Sequence, residues 1–142
     1  MARSNYTLEF YESPDGTLPV LDWLRSLSPT QKRAVGQAMN KVLQRDGIGV
    51  CGTEFGTQIG KGLFEFRARL SSADILAPGE TDADPWEMVV RIFCHAHGNK
   101  LILLLGSYDK AKDPSRKRQQ SEIETARKRL VEWRRRKRLA GS

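Results

Sequence analysis

Residues 87–108 read EMVVRIFCHAHGNKLILLLGSY, two strongly apolar runs either side of Gly98-Asn99. Gly tolerates positive φ, and Asn tolerates it better than most, so the dipeptide suits a two-residue hairpin loop. With that loop His97 faces Lys100, His95 faces Ile102, Phe93 faces Leu104, Arg91 faces Gly106 and Val89 faces Tyr108. Strand side chains alternate with a period of two. One predicted face is therefore Val90, Ile92, Cys94, Ala96, Leu101, Leu103 and Leu105, apolar throughout and expected to be core. The other carries Arg91, His95 and Tyr108 among Val89, Phe93, Ile102 and Leu104. Gly106 opposite Arg91 would leave open space above the sheet, an anion seat beside a guanidinium.

Outward from this hairpin, the chain of 142 residues suits one domain with a real core. No run of about 18 apolar residues exists, and MARSNYTLEFYE lacks the apolar stretch of a leader, so a cytoplasmic protein is expected. Cys51 and Cys94 are too few for a disulfide framework and are read as thiols. The net charge of +7 is unevenly placed. From Lys110 onward 13 Lys or Arg stand against 4 Asp or Glu, giving +9 and leaving −2 for residues 1–109. A basic tail of this kind fits a nucleic acid or another polyanion, or simply a solvated helix face.

In chain order, Tyr6 to Tyr11 alternates as a half-buried strand. Pro19, with Val20, Trp23, Leu24 and Leu27, opens a short helix. Ser28-Pro29-Thr30-Gln31 is a helix start with Ser as N-cap, Pro at the first helical position and Gln able to close a capping box. Val35, Ala38, Met39, Val42 and Leu43 follow at helical spacing until Asp46-Gly47. Residues 47–62 hold six glycines and read as loop, with room for a short strand. Leu63 to Leu70 alternates Phe64, Phe66, Ala68 and Leu70 against Glu65, Arg67 and Arg69, either an exposed ladder of ion pairs or a basic face shared with Arg91. Residues 71–86 are acidic and turn-rich, a long mobile connection that could shield the site. Asp113-Pro114 predicts the start of a basic helix over about 114–138, with a thin stripe of Ile123, Ala126, Leu130 and Trp133 and an end that frays beyond Trp133.

The expected fold class is thus α+β: N-terminal strand, helical hairpin, a three-stranded antiparallel meander completing one sheet, and a C-terminal basic helix, all in one domain spanning 1–142. Arg67, Arg69, Arg91, His95, Tyr108, Lys110 and Lys112 are expected on the open sheet face. Such a set suits metal-independent cleavage of RNA, arginines stabilising charge on the phosphoryl oxygens while Lys110 or His95 removes the 2′-hydroxyl proton. His95 and His97 have no evident third ligand, so no metal or other cofactor is expected. Nucleophile elbow, P-loop and dinucleotide fingerprints are missing.

The succession Gly62-Leu63-Phe64-Glu65-Phe66-Arg67, Val90-Arg91-Ile92-Phe93, Gly98-Asn99 with Leu101 to Gly106, and Lys110 to Pro114 before a basic helix resembles the RelE/HigB superfamily of bacterial and phage toxins. The HigB-like branch is the most similar, and the resemblance covers roughly residues 5 to 133. It implies a RelE-like fold and the toxin component of a toxin–antitoxin system, an mRNA interferase that cuts mRNA in the ribosomal A site. The partners it implies are mRNA, ribosomal RNA and a cognate antitoxin, often with a helix-turn-helix domain. Arg67 and Arg91 would hold the scissile phosphate, Tyr108 would stack on a base or orient substrate, and Lys110 would belong to the basic motif after the last strand. Arg69, Lys112, Arg116, Lys117 and Arg118 would bind RNA. Asp109 departs from the pattern by interrupting what is commonly a Lys-Lys pair. A ParE-like inhibitor of gyrase and a non-catalytic RNA-binding module are the alternatives.

Overall fold

In the computed structural model, residues 5–82 and 84–141 are described; the reading of residues 1–4 as part of a chain without a leader lies outside them. The elements are β1 (Thr7–Phe10), α1 (Pro19–Arg25), α2 (Pro29–Ala38) continued by a π-helical turn (Met39–Leu43) and α3 (Gln44–Asp46), β2 (Gly56–Gly60), β3 (Leu63–Ser71), α4 (Ser72–Ile75), β4 (Glu87–His97), β5 (Leu101–Asp109) and α5 (Arg116–Gly141). They build an α+β fold on one mixed five-stranded sheet of order β1-β5-β4-β3-β2. β3, β4 and β5 form the expected antiparallel meander, and β1 joins β5 in parallel. The glycine-rich stretch supplies a fifth strand, β2, antiparallel to β3.

The helical hairpin forms as its capping chemistry dictates. Ser28 Oγ accepts from Gln31 N, and the Gln31 side chain accepts from Ser28 N, closing the box at the start of α2. Val35, Met39 and Leu43 are buried along this helix. It stops at Gly47, whose φ of +55° suits glycine and whose missing Cβ leaves room for the Tyr6 ring. This hairpin covers one sheet face with Phe64, Phe66, Ala68, Val90, Ile92, Cys94, Ile102 and Leu104.

The β4–β5 register corrects the expected one. The turn spans three residues, Gly98 to Lys100, so His97 pairs with Leu101 and Cys94 with Leu104. A slip of one residue turns a strand over: Ile102 and Leu104 join the helical hairpin, while Leu101, Leu103 and Leu105 face the other way. A bulge then admits Leu105 as an extra residue, so that Phe93 pairs with Gly106 and Arg91 with Tyr108. The second shift adds to the first, so that Tyr108 keeps its expected face but stands opposite Arg91 instead of Val89. Tyr108 ends on the face of Arg91 after all.

That second face is not open, because α5 lies across it. Ala126, Leu130 and Trp133 are buried against Leu63, Phe93, Leu103, Leu105 and Tyr108, with Ile123 partly buried beside them. The space above Gly106 is filled by Ala126 and the Arg129 guanidinium. The helix begins at Arg116, two residues later than expected, because its cap is Ser115: Arg118 N donates to Ser115 Oγ at 3.1 Å, while Asp113 accepts from Ser115 N. Nor does it end at Trp133. Arg136 donates to Glu12 O at 2.6 Å and lies over the Tyr11 ring, tying the last turns to the chain after β1.

The acidic connection is pinned rather than loose. Trp86 Nε1 donates to Thr30 Oγ1 at 2.9 Å, Thr30 Oγ1 donates to Asp82 at 2.7 Å, and Ser72 N donates to Trp86 O. These bonds and the Arg33–Glu80 pair hold it against α2, on the sheet face away from the arginines. It does not shield the site.

Candidate nucleic-acid interface

Alternation along β3 sends Phe64 and Phe66 into the helical-hairpin core and turns Leu63, Glu65, Arg67 and Arg69 to the α5 side. Arg67 N donates to Phe55 O, away from β4, while Arg67 and Arg91 are cross-strand partners. They therefore form a pair without mutual backbone hydrogen bonds, the type in which facing side chains come closest. Beyond the start of α5 the sheet is left uncovered as a cleft of about 320 Å³, lined by Glu54, Phe55, Arg67, Ala68, Arg69, Val89 and Arg91.

Within the cleft the three arginines differ. Arg69 is exposed, and Arg67 is half-buried with one weak bond to Gly56 O at 3.4 Å. Arg91 is only 9% exposed. Its Nη1 donates to Glu65 Oε1 at 2.6 Å, and Gln119 of α5 donates to the other Glu65 oxygen at 3.3 Å. The Nε of Arg91 is buried without a partner among the described residues. An unmatched buried donor on a cation is costly unless an anion or water meets it.

Tyr108 lies directly opposite Arg91 on β5 but is 1% exposed. Its ring stacks on Phe93 at 6.2 Å and is capped by Arg118 at 5.1 Å. Burial raises its pKa above the usual 10.0, Arg91 opposing the shift, and its hydroxyl has no partner among the described residues. The expectation of an exposed stacking platform at Tyr108 is corrected: the ring packs beneath the first turns of α5.

His95 is also displaced from its expected role. It sits four residues along β4 from Arg91, about 13 Å at the strand rise, and does not line the cleft. Its Nδ1–H donates to Gly62 O at 2.7 Å, and the ring meets the edge of Trp133. Burial is the main cause lowering its pKa. The imidazole belongs to the α5 seam.

Of the remaining expected residues, Lys110 is the nearest to the cleft, its backbone N donating to Val89 O. Lys112 is exposed on the segment that leads into α5, Arg116 and Lys117 are exposed in its first turn, and Arg118 pairs with Glu122 at 2.8 Å. Asp109 is buried and accepts from Val89 N and Ala111 N, both at 2.9 Å, so it closes the end of the strand rather than facing the arginines. Glu54, Phe55, Glu65 and Gln119 were not expected in the site. Only Glu65 left a trace in the sequence, as a lone acid between two phenylalanines.

Among the described residues no cluster of three or more His, Cys, Asp or Glu could hold a metal ion. No helix among them is long and apolar enough to cross a membrane. No protein-family model matches the chain, and no curated protein matches it.

Proposed function

We propose that this chain is the toxin component of a toxin–antitoxin pair of the RelE/HigB kind, a cytoplasmic, ribosome-dependent endoribonuclease acting on mRNA in the ribosomal A site. The carrying observation is the opposition of Arg67 and Arg91 across β3 and β4. Facing like charges destabilise a sheet, and Glu65 neutralises only one of them. A phosphodiester seated between them would relieve the repulsion and supply the acceptor that Arg91 Nε lacks.

In this reading the 2′-hydroxyl attacks the adjacent phosphorus, its proton passing to a base on the protein. The bond from phosphorus to the 5′-oxygen breaks, and that oxygen takes up a proton. A 2′,3′-cyclic phosphate and a 5′-hydroxyl result. Arg67 and Arg91 stabilise charge on the non-bridging oxygens, and Arg69 adds a third cation from the same cleft. With His95 in the α5 seam, the candidates for the base are Glu54, a carboxylate lining the cleft, and Lys110, which neighbours Val89. Phe55 offers an aromatic surface for a base. A second reading, a catalytically silent RNA-binding module, is favoured by the Glu65–Arg91 pair, which already occupies one arginine.

The test is primer extension on mRNA in translating extracts, comparing the wild type with Arg67→Ala. The nuclease reading expects cuts in register with codons that require ribosomes and fall at least 100-fold in the variant, as loss of a transition-state contact does. Intact mRNA with the wild type would sink it, and retained RNA binding would then favour the module.

A further inference from the structure

We infer that the outward face of α5 is a second nucleic-acid surface, which docks on the sugar-phosphate backbone of duplex RNA. The apolar stripe of Ala126, Leu130 and Trp133 fixes which side of the helix meets the sheet. Eleven residues separate Lys117 from Lys128 and eighteen separate it from Arg135. At 3.6 residues per turn both separations return to within about 20° of the same direction, opposite the buried stripe. These three cations form a straight line about 27 Å long, and Arg138 extends it on one flank.

Five other cations of α5 are engaged by the chain itself, while Arg116 and Arg134 are exposed to one side of the line. Arg127 donates to the carbonyls of Ile59 and Gly60, Arg129 to Leu105 O, and Arg136 to Glu12 O. Arg118 pairs with Glu122, and Lys137 lies over Trp133. Lys117, Lys128, Arg135 and Arg138 are exposed and make no ion pair with any described residue. Glu124 is the one acid on their face. The helix thus commits five cations to packing or pairing and leaves a row of others to solvent.

The shape of this surface selects the ligand. Single strands are held in grooves with aromatic platforms for the bases, but this face is convex, and the sole aromatic of α5, Trp133, is buried. Helices that lie on membranes need a wide free apolar face, whereas α5 uses its apolar face on the sheet. A rigid row of cations fits the regular phosphate rows of a duplex, read by shape and backbone. Docking on this face of α5 does not depend on cleavage in the cleft.

The experiment is fluorescence anisotropy over a salt series, with a short labelled RNA duplex, a single strand of the same length and phosphatidylserine vesicles as probes. Wild type is compared with the triple variant K128Q/R135Q/R138Q and with R135Q alone, each checked by circular dichroism and melting. The wild type is expected to prefer the duplex. Its slope of log affinity against log salt should fall by about 3 in the triple variant and about 1 in R135Q, one unit per lost phosphate contact. An unaltered slope in the well-folded triple variant overturns the assignment, as does equal affinity for the single strand or preference for the vesicles.

Discussion

Arg91 Nη1 meets Glu65 Oε1 at 2.6 Å with both side chains nearly excluded from solvent, and this contact makes the two residues energetically inseparable. Removing one partner of a buried pair strands the other charge, at a cost of roughly 3–5 kcal/mol. Arg91→Ala should therefore lose most of its stability in urea, and lost cleavage in that variant would report unfolding. Glu65→Leu combined with Arg91→Met should recover most of the loss. Arg67→Ala, at a half-buried site with one weak bond, should cost less than about 1 kcal/mol. Fully additive losses in the double variant would refute this coupling.

The β2–β3 hairpin closes through Lys61 and Gly62, both at positive φ, 56° and 84°. This is a two-residue turn that favours Asn or Asp at its first position and Gly at its second. Lys61→Asn is expected to raise stability by a few tenths of a kcal/mol to about 1, read as a higher urea midpoint. Gly62→Ala should do the reverse, since its φ of +84° lies in the left-handed region and a Cβ there would also crowd the His95 ring.

His95 predicts a pH dependence with a definite sign. Burial holds its folded pKa below the ordinary 6.5, with Arg134 and His97 acting the same way and the Gly62 bond opposing. As pH falls below 6.5 the unfolded chain takes up the proton first, so the stability contributed by neutral His95 declines down to the folded value. His95→Asn should flatten that decline in urea midpoints measured above and below 6.5. An unchanged decline would assign it to other groups.

At the alkaline end, Tyr11 donates to Glu132 at 2.6 Å, and its pKa is pushed up to about 12, first by burial and then by that carboxylate. Between pH 10 and 12 the unfolded phenol ionises before the folded one, so stability should fall across that window. Tyr11→Phe should remove this component. A melting series at rising pH reads both chains.

Where one face of an element was polar, the sequence was legible. The capping box at Ser28, the apolar side of β3 and the α5 stripe all follow from period and cap chemistry. The run Leu101 to Leu105 is apolar on both sides because it is covered on both, so alternation carried no information about its register. The burial of Glu65, unlike its face, was unreadable for a related reason. Its burial depends on α5, fifty residues later, folding back to bring Gln119 to its carboxylate. The arginines of the cleft were legible, but the helix that covers their neighbours Tyr108 and His95 was not placed there by any local pattern.

The three-residue turn and the Leu105 bulge are two phase shifts of the same sense in one hairpin, each adding one residue on the β5 side. Their sum, not either one, aligns Tyr108 with Arg91. The eleven-residue interval from His97 to Tyr108 therefore behaves as a conserved length with a movable defect. Deleting one residue from the turn alone, or from the bulge alone, would invert everything downstream and carry Tyr108 to the wrong side. A chain that gave up the extra residue in both places would keep the alignment, so this hairpin can vary in length only by paired changes.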